Sequence, residues 1–123
     1  MPPTLGHGKI CYLVIPTTDI PRSVAFYQTV FGWPVRQRGD GSTAFDDGVG
    51  GVSGTWVTGR PPSTNPGFVL YIMVDSLAAT SEAVIANGGR IVEPRAVGAR
   101  EMAALFADPD GNVLGLYEHP SAS

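Results

Sequence analysis

Residues 10–33, ICYLVIPTTDIPRSVAFYQTVFGW, read as one strand, one turn and one helix. Residues 10–15 form a short apolar run of strand formers, too short for a buried helix, and Pro16 lacks the donor that a ladder requires. Asp19 stands where a helix needs an N-cap, because its carboxylate accepts the orphan N–H groups of the first turn. Ile20, Val24, Tyr27 and Phe31 follow at offsets that place them on one helix face, and Gly32 stops the helix. The same plan recurs at residues 68–89, FVLYIMVDSLAATSEAVIANGG, with Asp75 as cap, Leu77, Val84 and Ile85 as the apolar stripe, and Gly88-Gly89 as stop. Thirteen positions separate cap from stop in both copies, which predicts helices of equal length.

Between the copies, residues 35–38 and 42–45 read as a hairpin around Gly39-Asp40-Gly41, and residues 50–58 complete a meander. The glycines of GGVSGTWVT lack the spacing of a dinucleotide fingerprint, and no helix follows them. GRPPSTNPG, residues 59–67, holds three prolines and two glycines and is the expected linker. Beyond the second helix come strands at 90–93, 102–107 and 113–118, a loop at 94–100 and a turn at residues 108–111. The expectation is a single α+β domain of two βαβββ modules, 1–58 and 68–118, joined by the linker 59–67 and ending in a frayed tail at 119–123.

With 123 residues, 43% hydrophobic and 15% charged, the chain is globular, and no apolar run is long enough to span a membrane. A net charge of −3 without a basic stripe argues against nucleic acid and against an acidic membrane surface. The opening MPPTLGHGK lacks the segments of a secretory signal, so a cytoplasmic protein is expected. Cys11 is the single cysteine and reads as a core thiol in the first strand.

The doubled module, with its IPTTDIPRSVAFYQTVFGW opening and FADPDGNVLGLYE close, resembles the vicinal oxygen chelate superfamily of glyoxalase I, bleomycin-resistance proteins and extradiol dioxygenases. The resemblance implies paired βαβββ modules forming a U-shaped sheet around a small-molecule cleft, with the helices outside, commonly in a homodimer. Enzymes of that superfamily bind one divalent metal through His, Glu or Gln, and the metal acts as a Lewis acid. Carried over from the Asp19 and Asp75 caps and the Asp108 turn, the ligand positions fall on Tyr12, near Gly54, on Val69 and on Gly115. None of the last three has a ligating side chain, and neutral tyrosine is a poor substitute for imidazole. His7 lies at the wrong strand parity relative to Tyr12, and His119 lies in the tail. No cofactor is therefore expected, and a divalent metal is disfavoured.

Strand parity groups Tyr12 with Val14, then Val52, Gly54 and Trp56, then Val69, Tyr71 and Met73, and finally Val113, Gly115 and Tyr117. These residues give an apolar, aromatic cleft surface, with Trp56 as a stacking platform and room at Gly54 and Gly115. The expected function is metal-free binding of a hydrophobic or aromatic small molecule. The alternative is an enzyme, either a lyase or isomerase in which Tyr12, with Glu101 as a further candidate, transfers protons, or a metal-dependent enzyme of the glyoxalase or dioxygenase type if a different ligand set exists; a purely structural reading instead buries these faces between subunits. Glu93, Arg95, Arg100 and Glu101 flank the 94–100 loop as a rim, and Trp33 closes the core.

Overall fold

The computed structural model describes residues 6–97 and 101–119. The chain divides into two compact units, Met1–Pro61 and Pro62–Ser123, and the division falls inside the proline-rich stretch at 59–67. Each unit is one βαβββ module with a four-stranded mixed sheet.

The first unit runs β1 (Tyr12–Pro16), α1 (Ile20–Phe31), β2 (Val35–Gln37), β3 (Thr43–Asp46) and β4 (Ser53–Val57). Its sheet has the order β1-β4-β3-β2, with β1 parallel to β4 and the other pairs antiparallel. Asp19 caps α1 by accepting from the Arg22 amide at 3.1 Å. Gly32 ends the helix in the left-handed region at φ 70°, a conformation that costs glycine nothing, and its N–H donates to the Gln28 carbonyl. The buried face of α1 is Ser23, Phe26 and Tyr27 rather than the Ile20, Val24, Tyr27 and Phe31 stripe, of which only Tyr27 is fully buried. The physical reason is an aromatic cluster. Tyr27 stacks on Trp33 at 5.0 Å between ring centroids, Trp33 stacks on Phe45 at 4.7 Å, and Phe45 meets Trp56 at 4.9 Å. Rings of this size fix the helix rotation more strongly than the smaller Ile20 and Val24.

The second unit runs β5 (Tyr71–Val74), α2 (Leu77–Ala86), β6 (Arg90–Val97), β7 (Glu101–Ala107) and β8 (Val113–Glu118), with sheet order β5-β8-β7-β6. Ser76, not Asp75, caps α2: its backbone is extended and its hydroxyl accepts from the Ala79 amide at 3.1 Å. Asn87 is the C-cap, so α2 has 10 residues against 12 in α1, and the expected equality of length does not hold. Val84 is fully buried and Leu77 partly so, whereas Ile85 is 60% exposed. The core here is Val74, Val84, Ala104, Phe106, Leu114 and Leu116.

Several strand boundaries also differ from expectation, those of β6 and β1 with the most consequence. β6 continues through Pro94 to Val97, where a loop was expected, because β6 is an edge strand and the proline's missing donor costs no ladder bond there. A bulge between Ile91 and Glu93 precedes it. β1 begins at Tyr12, so Cys11 lies before the strand and its thiol is exposed rather than in the core. The Asp108 turn is tied internally: its carboxylate accepts from the Asp110 and Asn112 amides, and the Asn112 side chain accepts from the Ser63 amide at 2.8 Å. At the tail, the His119 amide still donates to the Val74 carbonyl. Among the described residues, no helix is long and apolar enough to cross a membrane.

Candidate functional site

In the first unit, register decides which side chains share a face, because residues directly opposite one another project to the same side. Tyr12 pairs with Ser53 and Ser53 with Asp46; Val14 pairs with Thr55 and Thr55 with Ala44. The face turned away from α1 therefore carries Tyr12, Val14, Ser53, Thr55, Ala44, Asp46 and Arg36. Tyr12 is 42% and Val14 36% exposed. Arg36 donates to both oxygens of Asp46, at 3.2 and 3.3 Å, and the Ser53 hydroxyl donates to Asp46 at 2.6 Å. Arg38 lies 5.1 Å over the Tyr12 ring and also donates to the Tyr12 hydroxyl.

Hydrogen bonds from Arg36 and then from Ser53 hold the Asp46 carboxyl below the ordinary carboxylate range. Asp40, in the hairpin turn, is lowered by the Ser42 hydroxyl and amide. A carboxyl with a depressed folded pKa contributes stability that is present above its unfolded value, near about 4, and is lost as pH falls through the folded value. Thermal unfolding followed by circular dichroism should show a falling midpoint from about pH 4 downward. Asp46→Asn should flatten part of that decline, and an unchanged acid profile in that variant would remove Asp46 as a source of it.

In the second unit, Tyr71 pairs with Gly115 and Met73 with Tyr117, and Tyr117 pairs in turn with Ala103. Val113 belongs to the same row set, opposite Ala107. Tyr71 is 40%, Met73 63% and Val69 38% exposed, and Val69 precedes β5 rather than lying in it. The expected grouping of Tyr71, Met73, Val113, Gly115 and Tyr117 on one face is thus what register gives. Glu101 opens β7 opposite Val97, and its side chain, like those of residues 94–97, lies outside the description. Residues 98–100 lie wholly outside the described residues, Arg100 among them.

Trp56 requires correction. It pairs with Ile15, one row from Tyr12, so it faces α1; it is 4% exposed and packed among Tyr27, Phe45 and Trp33's stack. It is a core residue and offers no surface to a ligand. Gly54 pairs with Leu13 on that same helix-facing side, so the expected grouping of Gly54 and Trp56 with Tyr12 does not hold. Nor do Gly54 and Gly115 leave room. A Cβ at Gly54 would overlap the Leu13 carbonyl oxygen and the Phe45 ring, and one at Gly115 would overlap the Tyr71 ring. Arg36, Arg38 and Asp46 were not singled out from the sequence; Asp46 is the diagonal neighbour of Arg36 on the adjacent strand, a relation that only the β2–β3 register discloses.

Residues 9–116 match the family model described as the Glyoxalase/Bleomycin resistance protein/Dioxygenase superfamily. The chain belongs to that superfamily. A glyoxylase-like domain-containing protein of Didymella fabae is 33% identical over 98 residues, covering 68% of this chain and 71% of that protein. CFP32 of Mycobacterium bovis is 26% identical over 121 residues, 91% of this chain, and the chain spans only 46% of its length. Among solved structures, the fosfomycin resistance protein FosX of Listeria monocytogenes superposes with a TM-score of 0.76 at 16% identity, covering 91% of each chain. TnmS3, an antibiotic binding protein from a Streptomyces species, superposes at 0.68 with 21% identity, covering 94% of this chain and 98% of that one. At such identities the likeness is one of fold.

As a glyoxalase-superfamily chain, it can be tested for the metal that the family implies. The positions carried over for its ligands hold Tyr12, Gly54, Val69 and Gly115. Neighbouring atoms already occupy the space at both glycines, Val69 has no donor atom, and the Tyr12 hydroxyl accepts a bond from a cation. These residues do not fit a metal ion. His7 and His119 are both exposed, and among the described residues no three His, Cys, Asp or Glu side chains come together as a ligand group.

Proposed function

We propose that this superfamily member binds an apolar or aromatic small molecule on the sheet faces turned away from the helices. One observation carries the reading: regular strands hold large apolar and aromatic side chains in the open, with Tyr12 at 42%, Tyr71 at 40% and Met73 at 63% exposed. Covering such partly exposed side chains with a ligand recovers a fraction of the about 1.5–3 kcal/mol that full burial of an apolar side chain is worth, and the tyrosine hydroxyls orient polar groups. The fold neighbour TnmS3, an antibiotic binding protein, lends support as a protein of the same architecture. The proposal includes a homodimer, in keeping with the exposure of Phe68 at 98%.

The test is fluorescence titration with N-phenyl-1-naphthylamine, a neutral aromatic probe that brightens in apolar surroundings. The wild type should bind it, and Tyr12→Ser for the face of the first unit, or Met73→Ser for that of the second, should weaken binding by about tenfold without shifting the thermal midpoint. No binding by the wild type, or equal binding by all three proteins, contradicts the proposal.

A further inference from the structure

Among the described residues, Arg38 forms no ion pair with a carboxylate, whereas Arg36 on the same strand face is paired with Asp46. Arg38 directly follows β2, and its backbone is fixed by the hairpin: its N–H donates to the Ser42 carbonyl at 2.8 Å and its carbonyl accepts from Gly41 at 3.0 Å. Two residues after Arg36, it projects to the same face of the sheet. β2 and β1 are opposite edges, so Arg38 and Tyr12 meet only by extending over the open face from either side. There the guanidinium stacks on the phenol ring and donates to its hydroxyl.

The nearby acids are already engaged. Asp46 is held by Arg36 on both oxygens and by Ser53, and Asp40 is bonded by the Ser42 amide and hydroxyl, reaching Arg38 only through its field. A guanidinium carries five N–H donors in a rigid fork, and the Tyr12 hydroxyl takes one. The remaining donors lie over an aromatic, partly exposed surface, a setting in which a charge-assisted, bidentate bond to an oxyanion is stronger than in open water.

We infer that Arg38, propped on Tyr12, selects ligands that join an aromatic or apolar body to an acidic group such as a carboxylate, sulfonate or phosphonate. The inference rests on the proposed function, since the acidic group is held only if the body docks on the Tyr12 face. Arg38 adds specificity to that site: the ring takes the body and the fork takes the oxyanion. Lysine is an incomplete substitute, because an ammonium neither stacks flat nor binds two oxygens in one plane.

Two probes that differ by a single sulfonate test this. 8-Anilinonaphthalene-1-sulfonate is N-phenyl-1-naphthylamine with that group added, and both report by fluorescence. The wild type should bind the sulfonate about tenfold more tightly than the neutral probe. Arg38→Gln should lose about tenfold for the sulfonate and less than about twofold for the neutral probe, while Arg38→Lys should fall between. Retained neutral-probe affinity in Arg38→Gln shows that the variant is folded, so a purely structural stack, which would weaken both probes alike, is separated from recognition of the anion. Equal wild-type affinity for the two probes, or equal effects of Arg38→Gln on both, overturns the inference and leaves the proposed function standing. Failure of the wild type to bind either probe overturns both.

Discussion

Trp56→Ala should destabilise the protein by about 3–5 kcal/mol, lowering the thermal midpoint by more than about 10 °C, because it empties the centre of the β4–α1 packing. The indole touches Tyr27 and Phe45, and through them the Trp33 stack, at only 4% exposure, so no solvent or flexible loop can collapse into the void. Trp56→Phe should cost much less than the alanine variant. It keeps a ring in the cluster and removes an indole N–H that is buried without a hydrogen-bond partner, a group whose burial itself costs about 1–3 kcal/mol. Calorimetry of the three proteins checks both statements. A Trp56→Ala protein as stable as the wild type would contradict the placement of Trp56 in the core.

Gly54→Ala should be the second severe substitution, at about 3 kcal/mol, the upper end of the usual range for overpacking. Its new methyl group would meet the Leu13 backbone carbonyl as well as the Phe45 ring, and the carbonyl belongs to the neighbouring strand of a parallel ladder. Neither strand can yield without breaking that ladder. Gly115→Ala makes the useful contrast. The three atoms nearest its methyl group would all belong to the ring of Tyr71, a side chain 40% exposed rather than a strand backbone, so the cost should be about 1 kcal/mol. Denaturant melts should rank Gly54→Ala well below Gly115→Ala, and the reverse order would show that Tyr71 is the more firmly held group.

The parts of the fold set by local chemistry were legible in the sequence. The Asp19 cap, the Gly32 stop and the full extent of β8 depend on residues a few positions apart. Ser76 was missed because two good caps stand side by side at 75 and 76, and only the backbone conformation at Ser76 chooses between them. The face of β4 was missed for a different reason. Alternation within β4 was counted correctly, but which of its two faces joins Tyr12 depends on the register with β1, and a slip of one residue exchanges every side chain. That one step moved Trp56 and Gly54 into the core and put Ser53 and Thr55 beside Tyr12 and Val14. In the second unit the same reasoning succeeded, because Tyr71 pairs directly with Gly115 as the parity of the two strands suggested. The Arg36–Asp46 pair and the Arg38–Tyr12 stack join residues 10 and 26 positions apart, beyond the reach of any local pattern.

Under the proposed function, ligand docks on a strand face turned away from the helices, that of Tyr12 or that of Tyr71 and Met73, and not on a helix-covered side. The most direct measurement is a two-dimensional amide and indole N–H nuclear magnetic resonance spectrum recorded as N-phenyl-1-naphthylamine is added. The predicted result is movement of the amide signals of at least one of these faces, Tyr12 and Val14 in the first unit or Tyr71 and Met73 in the second, with the indole signal of Trp56 unmoved. Movement of the Trp56 indole signal while the amides of Tyr12 and Tyr71 stay still would place the ligand in the core beside α1 and contradict the account.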